Sequence, residues 1–130
     1  MAPYIAPTAE QIQAVTRSSL EGPVVMLNLL RFKAEGGRES YDQYSDKVQA
    51  LLEKAGADIV WYGQADSVVI GDDVGDAWDA VILVRYPCRS SFLDMVLSPE
   101  YQAIGDLRTA GLDDSRLIAC TELYPLSTEG

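Results

Sequence analysis

The chain contains no histidine, and this absence excludes more chemistry than any other feature of its composition. Histidine is the commonest general base, the usual base of a catalytic triad and a frequent metal ligand. A histidine-based triad and a haem enzyme with an axial histidine are therefore excluded. If this protein moves a proton, a tyrosine hydroxyl or a carboxylate has to carry it.

Cysteine is scarce as well. Cys88 and Cys120 form no CxxC pair, and without histidine a zinc site built from two separated cysteines and carboxylates is not expected. The acidic segment 72–79 departs from the EF-hand pattern, because Gly75 stands at the wrong offset. No glycine-rich phosphate loop follows a predicted strand. We therefore expect no bound metal or other cofactor, and free thiols in a small acidic chain predict a cytoplasmic location.

Long apolar runs and basic residues are also lacking. No run reaches the ~20 residues of a membrane-spanning helix, and the first seven residues show no signal-peptide pattern. Ten Lys and Arg residues stand against 20 Asp and Glu, which gives a net charge of −10 at pH 7. This charge repels phosphate backbones, so neither nucleic acid nor membrane is expected as a partner. The length predicts a single domain over residues 1–130.

What the sequence does contain is three strand-like segments that are apolar at almost every position, residues 23–31, 58–62 and 78–86. A strand with one solvent-exposed face alternates apolar and polar residues. These segments do not alternate, so both faces of their sheet must be covered. The chain's own helices can cover one face, and a second copy is predicted to cover the other. We therefore expect a homodimer, with Leu27 and Val81 in the core.

Capping signals define the helices between these strands. Thr8 opens an N-terminal helix over residues 8–20, Ser40 opens a second helix and Ser98 opens another. A last strand is predicted over residues 114–124. The predicted order is thus a helix followed by β-α-β-β-α-β.

This order is typical of an α+β, ferredoxin-like core, here over residues 23–124, with an added N-terminal helix. Right-handed crossovers place the first and third strands at the centre of the sheet, antiparallel to each other. Those two strands are also the most apolar, which agrees with a central position.

Four segments carry a resemblance to a known family: residues 24–32, 56–63, 78–87 and 98–102. They resemble a bacterial family of unknown function in the dimeric α+β-barrel superfamily, over about residues 20–120. The resemblance implies a barrel formed by two facing sheets, with a small-molecule cleft between sheet and helices in each protomer. Members of the superfamily include cofactor-free monooxygenases, lactone isomerases, cyclases and haem enzymes. Shorter members of the family carry an acid near the position of Arg85, so no catalytic role transfers to this position.

Polar residues in the central strands are the first candidates for a site. Asn28 interrupts an apolar strand, where its amide must find partners. It is predicted to donate to a ligand oxygen in the cleft, or to bond with the backbone or its dimer counterpart. Arg85 is predicted to bind a ligand carboxylate or to meet an acid of the partner subunit. Arg31 and Asp79 are predicted to form a cross-strand ion pair.

Aromatic residues are the second group of candidates. Trp61 is predicted to bind the ligand, although aromatics at strand or helix spacing also fill cores. Tyr44 and Tyr101 are the predicted catalytic residues, because a tyrosine hydroxyl can move a proton where histidine is missing.

These observations favour a homodimeric small-molecule-binding protein. The most specific hypothesis is that the protein is a cofactor-independent enzyme of the isomerase, cyclase or monooxygenase type, acting on a small carbonyl or aromatic compound. The alternatives are a non-catalytic ligand-binding or sensor module and a structural dimer with no ligand. A cleft with convergent polar groups separates the first two from the third, and turnover separates the first from the second.

Overall fold

The structure is a computed structural model that describes residues 4–18 and 21–123. Its helices within these residues are α1 (Ala9–Arg17), α2 (Gly37–Lys54), α3 (Arg89–Val96) and α4 (Pro99–Gly111). Its strands are β1 (Val24–Phe32), β2 (Asp58–Gln64), β3 (Ala80–Tyr86) and β4 (Leu112–Cys120). The predicted order is confirmed, with α3 and α4 together forming the second crossover.

The four strands form one sheet in the order β2-β3-β1-β4, and every neighbouring pair is antiparallel. The two most apolar strands, β1 and β3, lie at the centre as predicted, with Asn28 directly opposite Ile82. This confirms the α+β, ferredoxin-like fold with an added N-terminal helix.

Two of the three predicted helix starts agree with the structure. The Thr8 hydroxyl accepts a hydrogen bond from the Gln11 amide at 3.1 Å, and Ser98 caps α4 in the same way. The prediction for Ser40 was wrong, since α2 begins three residues earlier, after Gly36 with its left-handed φ of 72°. The Ser40 hydroxyl instead donates to the Leu107 carbonyl of α4 at 2.9 Å, which ties the two crossovers together.

Several element ends also differ from the prediction. Leu20, the predicted end of the first helix, lies outside the described residues, as does residue 124 of the predicted last strand. Residues 65–79 form a loop that we call the β2–β3 arm, and β3 begins at Ala80. Trp78 belongs to this arm, where its indole faces the Arg31 guanidinium 4.8 Å from the ring centre.

The helices cover one face of the sheet, here called the covered face. It holds the most deeply buried strand residues: Val24, Met26, Leu30, Ala80, Ile82, Val84, Tyr86 and Leu112. The opposite face, the open face, carries apolar residues that are half-buried or exposed in the protomer: Val25, Leu27, Leu29, Trp61, Val81, Leu83 and Ile118. Leu27 and Val81 are therefore not core residues of the protomer, because strand alternation turns them away from the helices.

The two long helices approach each other most closely at two glycines. A side chain at Gly111 would meet the Gly37 carbonyl oxygen at 2.7 Å and the Tyr41 amide at 2.9 Å. This backbone-to-backbone contact holds the start of α2 against the end of α4. It fixes the position of the aromatic residues that α2 directs at the sheet.

Candidate functional site

Asn28 lies in the middle of the covered face, on the same side of β1 as Met26 and Leu30. Its Nδ2 donates to the backbone carbonyls of Met26 and Ile82, each at 3.3 Å. Its Oδ1 accepts no hydrogen bond from the described residues. Because no side-chain polar atom in this part of the chain is both sealed from solvent and unpaired, Oδ1 must reach a space that admits water.

Asn28 is half-buried, whereas Met26 and Leu30, its neighbours on the same side of β1, are buried. Register places Tyr62, Ile82, Asn28 and Leu117 side by side across the four strands. Tyr62 and Leu117, at the two ends of the row, are 45% and 43% exposed. Both ends of this row are thus exposed to solvent, and Asn28 between them is half-buried.

A group of tyrosines lies between the two long helices and the covered face. The tyrosine cluster consists of Tyr41, Tyr44, Tyr86 and Tyr101. The hydroxyls of Tyr44 and Tyr101 are 2.8 Å apart, with their rings perpendicular at a centroid distance of 6.0 Å. The Tyr41 and Tyr44 rings are 5.2 Å apart. The structure therefore brings the two predicted catalytic residues into direct contact, although they are 57 positions apart in the chain.

Burial favours the neutral form of three members of this cluster. Loss of hydration raises the pKa of Tyr41, Tyr44 and Tyr86 well above the ordinary value of 10.0, and the nearby Arg108 opposes this shift for the first two. These tyrosines are neutral phenols at physiological pH. They can donate hydrogen bonds to a ligand, but they cannot act as phenolate bases there.

Arg108 supplies positive charge next to the cluster. It follows Tyr101 by seven residues on α4 and is half-buried. One guanidinium nitrogen donates to the Ile5 carbonyl at 2.7 Å. None of the ion pairs among residues 4–18 and 21–123 includes Arg108, so its charge remains unneutralised by a protein carboxylate.

The other two predicted ligand-binding residues lie on the open face. Arg85 pairs with Glu122 of the same chain, Nη2 to Oε1 at 2.7 Å. The Trp61 indole lies over the backbone of Gly63 and occupies the space that a side chain there would need. Asn28, Tyr44 and Tyr101 thus share one side of the sheet, and Trp61 and Arg85 share the other.

The predicted Arg31–Asp79 ion pair was wrong. Arg31 donates to the Ala77 carbonyl at 2.6 Å and lies 3.7 Å from the Asp114 carboxylate. Asp79 accepts the backbone amide of Phe32 at 2.8 Å. The regular antiparallel register of β1 with β4 places Asp114 directly opposite Arg31, and the register shifts only at the next residue, Phe32.

The arginines of the open face lie beside carboxylates of the same chain. Three arginines are matched by three carboxylates that lie beside them or opposite them in register: Arg31, Arg85 and Arg116 with Asp58, Asp114 and Glu122. The chain as a whole carries −10, so its excess negative charge lies elsewhere.

Two surface clefts lie away from the tyrosine cluster. One, of about 310 Å³, lies between α1 and the start of α3 and includes Cys88. Hydrogen bonds with the hydroxyls of Ser90 and Ser91 lower the pKa of the Cys88 thiol to about 7. The other cleft, of about 460 Å³, follows the β2–β3 arm. Neither is lined by Asn28, Tyr44 or Tyr101.

Residues 4–18 and 21–123 contain neither a cluster of metal ligands nor a membrane-spanning helix. No group of three or more Cys, Asp or Glu side chains there could hold a metal ion. No helix there is long and apolar enough to cross a membrane.

Sequence reasoning did not single out Tyr86 as part of the site. Its signal is the alternation of β3, where Ala80, Ile82, Val84 and Tyr86 point to the same side. Tyr41 also belongs to the cluster, and its contact with Tyr44 depends on how α2 is rotated over the sheet.

Comparison with known proteins gives one close group and several distant ones. The family profile "Domain of unknown function (DUF1330)" matches residues 35–121. RPA0582, a protein of unknown function from Rhodopseudomonas palustris, is 32% identical, with 95% of this chain and 100% of that chain covered and a TM-score of 0.87. No curated protein matches the chain.

Two distant structures share the fold. A dimeric ferredoxin-like protein of unknown function from Jannaschia sp. CCS1 is 12% identical, with 78% of this chain and 100% of that chain covered and a TM-score of 0.58. A protein of Bacteroides thetaiotaomicron VPI-5482, named as a candidate antibiotic biosynthesis monooxygenase, is 14% identical, with 82% and 96% covered and a TM-score of 0.56. The resemblance inferred from the sequence is confirmed.

Proposed function

Since the chain belongs to the DUF1330 family, a bacterial family of unknown function, we propose from its own geometry that it is a homodimeric small-molecule-binding protein. Two copies pack their open faces together, and each protomer binds a ligand between the covered face and the helices.

The open face supports the dimer. Its apolar centre stays at least partly exposed in the protomer, and soluble monomers rarely expose a contiguous apolar patch of this kind. Each arginine of this face lies beside a carboxylate of the same chain, so burying the arginines against a second copy leaves none of them without a counter-charge. The Jannaschia protein of the same fold is dimeric.

The Tyr44–Tyr101 hydroxyl pair is the observation that carries the ligand-binding proposal. When one hydroxyl donates to the other, the accepting hydroxyl keeps its own proton free. That proton can be donated to a ligand oxygen, and the existing hydrogen bond strengthens the donation. Asn28 Oδ1 adds an unpaired acceptor on the same side of the sheet.

The charges around the cluster define the ligand class. The neutral phenol of Tyr44 and the guanidinium of Arg108, which forms no ion pair among the described residues, favour an oxygen that carries or develops negative charge, as in a carbonyl that becomes an enolate. A small carbonyl or aromatic compound fits this set. The Bacteroides protein links the same fold to oxidation chemistry by its name, and turnover of such a ligand without a cofactor would make this protein an enzyme.

Light scattering coupled to size exclusion tests the dimer. We expect twice the 14.2 kDa protomer mass at micromolar concentration. Leu83→Asp, at the centre of the open face, should give monomers, because an unpaired charge would be buried in the interface. Leu97→Asp introduces the same charge at an exposed apolar site at the end of α3 and should remain dimeric. A monomeric wild type would refute the dimer.

Ligand-observed NMR with acetophenone, 1-naphthol and cyclohexane-1,3-dione tests the site. Binding of at least one probe should weaken about 2- to 10-fold in Tyr101→Phe, the range expected for one lost hydrogen bond. Tyr4→Phe removes a hydroxyl outside the cluster and should change nothing. Asn28→Leu should retain the fold and the dimer and lose the ligand. Binding that is equal in all four proteins, or an Asn28→Leu variant that unfolds, would overturn this assignment.

A further inference from the structure

The β2–β3 arm presents apolar side chains that touch almost nothing in the protomer. Val69 and Ile70 are 91% and 96% exposed, and Val74 is 82% exposed. Scattered exposed apolar residues are ordinary, but two consecutive ones beside an apolar groove mark an interaction surface.

Hydrogen bonds preorganise the arm. At its base the Ala65 amide donates to the Asp79 carbonyl at 3.0 Å, and at its turn the Asp72 amide donates to the Asp76 carboxylate at 2.7 Å. Arg31 of β1 donates to the carbonyl of Ala77 in the arm at 2.6 Å. A surface that is already ordered loses little conformational entropy on binding.

The groove beside the arm opens onto the open face. Its volume is about 460 Å³, and its apolar lining runs from Val69 and Ile70 past Trp78 to Val81. Val81 is itself an open-face residue, paired in register with Leu29. The exposed apolar surface of the arm is therefore continuous with the surface proposed for the dimer.

We propose that the arm of each protomer is seated on the second copy of the chain, so that Val69 and Ile70 extend the sheet-to-sheet interface. This inference rests on the dimer of the proposed function. A two-fold axis that relates the two open faces repeats the contact, so the arm of each protomer lies on the other protomer. An anionic lipid surface is the poorer occupant, because Asp66, Asp73 and Asp76 line the same groove and repel it.

Sedimentation equilibrium of Val69→Ser/Ile70→Ser tests the proposal. We expect the dimer dissociation constant to rise about tenfold or more, because the variant lacks the two apolar side chains whose burial in the dimer favours association. Val74→Ser is the matched control, since this residue lies in the same arm but does not line the groove. Its dissociation constant should stay within about twofold of the wild type.

A second measurement uses the unaltered protein. In dimers mixed from ¹³C-methyl-isoleucine-labelled and unlabelled protomers, filtered spectra should show contacts from the Ile70 methyls to the unlabelled copy. A wild-type dimer that Leu83→Asp dissociates, combined with an unchanged constant in the double variant and no Ile70 contacts, would overturn the arm contact alone. A monomeric wild type would overturn the dimer and the arm contact together.

Discussion

The two faces of β1 differ in what they do with polar groups, although the strand is apolar on both sides. On the covered face Val24 and Leu30 are fully buried, yet the same face carries Asn28 and meets the tyrosine hydroxyls. On the open face Leu27 and Leu29 are half-buried, and the charges at its ends are paired. Groups with unused hydrogen-bonding capacity are thus placed under the helices, and the uncovered face is apolar and neutral.

Neighbouring leucines offer the sharpest test of this contrast. Leu30→Ala should lower the free energy of unfolding by about 2–5 kcal/mol, because it leaves a cavity under the helices. Leu29→Ala should cost less in the protomer, and its effect should grow with protein concentration as the dimer forms. Urea unfolding at several concentrations measures both.

Leu30→Ala is the reference for Leu29→Ala. The free energy of unfolding that it loses should change with protein concentration no more than that of the wild type does. Equal losses at Leu29 and Leu30 at every concentration would show that the open face is buried without a partner.

Asp114 tests whether the charges of the open face are balanced within each protomer. Burial raises the pKa of this carboxyl, but hydrogen bonds from the Tyr4 amide, the Arg116 guanidinium and the Ser115 amide outweigh it, so the net pKa is lowered. A lowered folded-state pKa stabilises the fold above the ordinary value of 3.8, and the stabilisation is lost as pH falls through the folded-state pKa.

Asp114→Asn should therefore cost about 1 kcal/mol at pH 7, and the difference from the wild type should shrink below about pH 4. Thermal unfolding from pH 2 to 7 measures this. Asp113→Asn, at the exposed neighbour, is the control. A difference that persists unchanged at pH 2 would contradict the assigned pairing.

The two cysteines give the comparison with the smallest expected effect, and each reports on the surroundings of a single residue. Cys120 lies on the open face, opposite Val25, and Cys88 lies at the start of α3. Alkylation of Cys88 by iodoacetamide should rise with a midpoint near pH 7, and Ser90→Ala should move the midpoint upward. Cys120 should react slowly in the wild type and faster in Leu83→Asp. Peptide mass spectrometry separates the two sites, and equal Cys120 rates in both proteins would speak against its shielding by a second copy.

The order of the elements was predictable because it depends on local signals. The capping residues Thr8 and Ser98 and the unbroken apolar runs of β1 and β3 fix the elements and the central strands. The same unbroken runs gave no indication of which residues point toward the helices and which point away from them. Since β1 is apolar on both sides, alternation could not show that Leu27 faces outward and Asn28 inward.

The site was harder to predict because its contacts join distant parts of the chain. Tyr44 and Tyr101 were chosen for their chemistry, and their contact depends on the close approach of α2 and α4 at Gly37 and Gly111. Arg31 pairs with Asp114 because β4 lies beside β1 in this register, and no local pattern in the sequence predicts which residues of two distant strands face each other.

The arginines of the open face have a consequence for how two copies would meet in the proposed dimer. Each chain carries −10, and the three arginines of the open face make this face less negative than the rest of the surface. Two approaching copies repel least when their open faces point at each other, so the field orients the encounter before any contact forms. Added salt shortens the range of the field to about 8 Å at 0.15 M and should speed association without altering the contacts that form afterwards. The uneven distribution of charge thereby selects the productive orientation among random collisions.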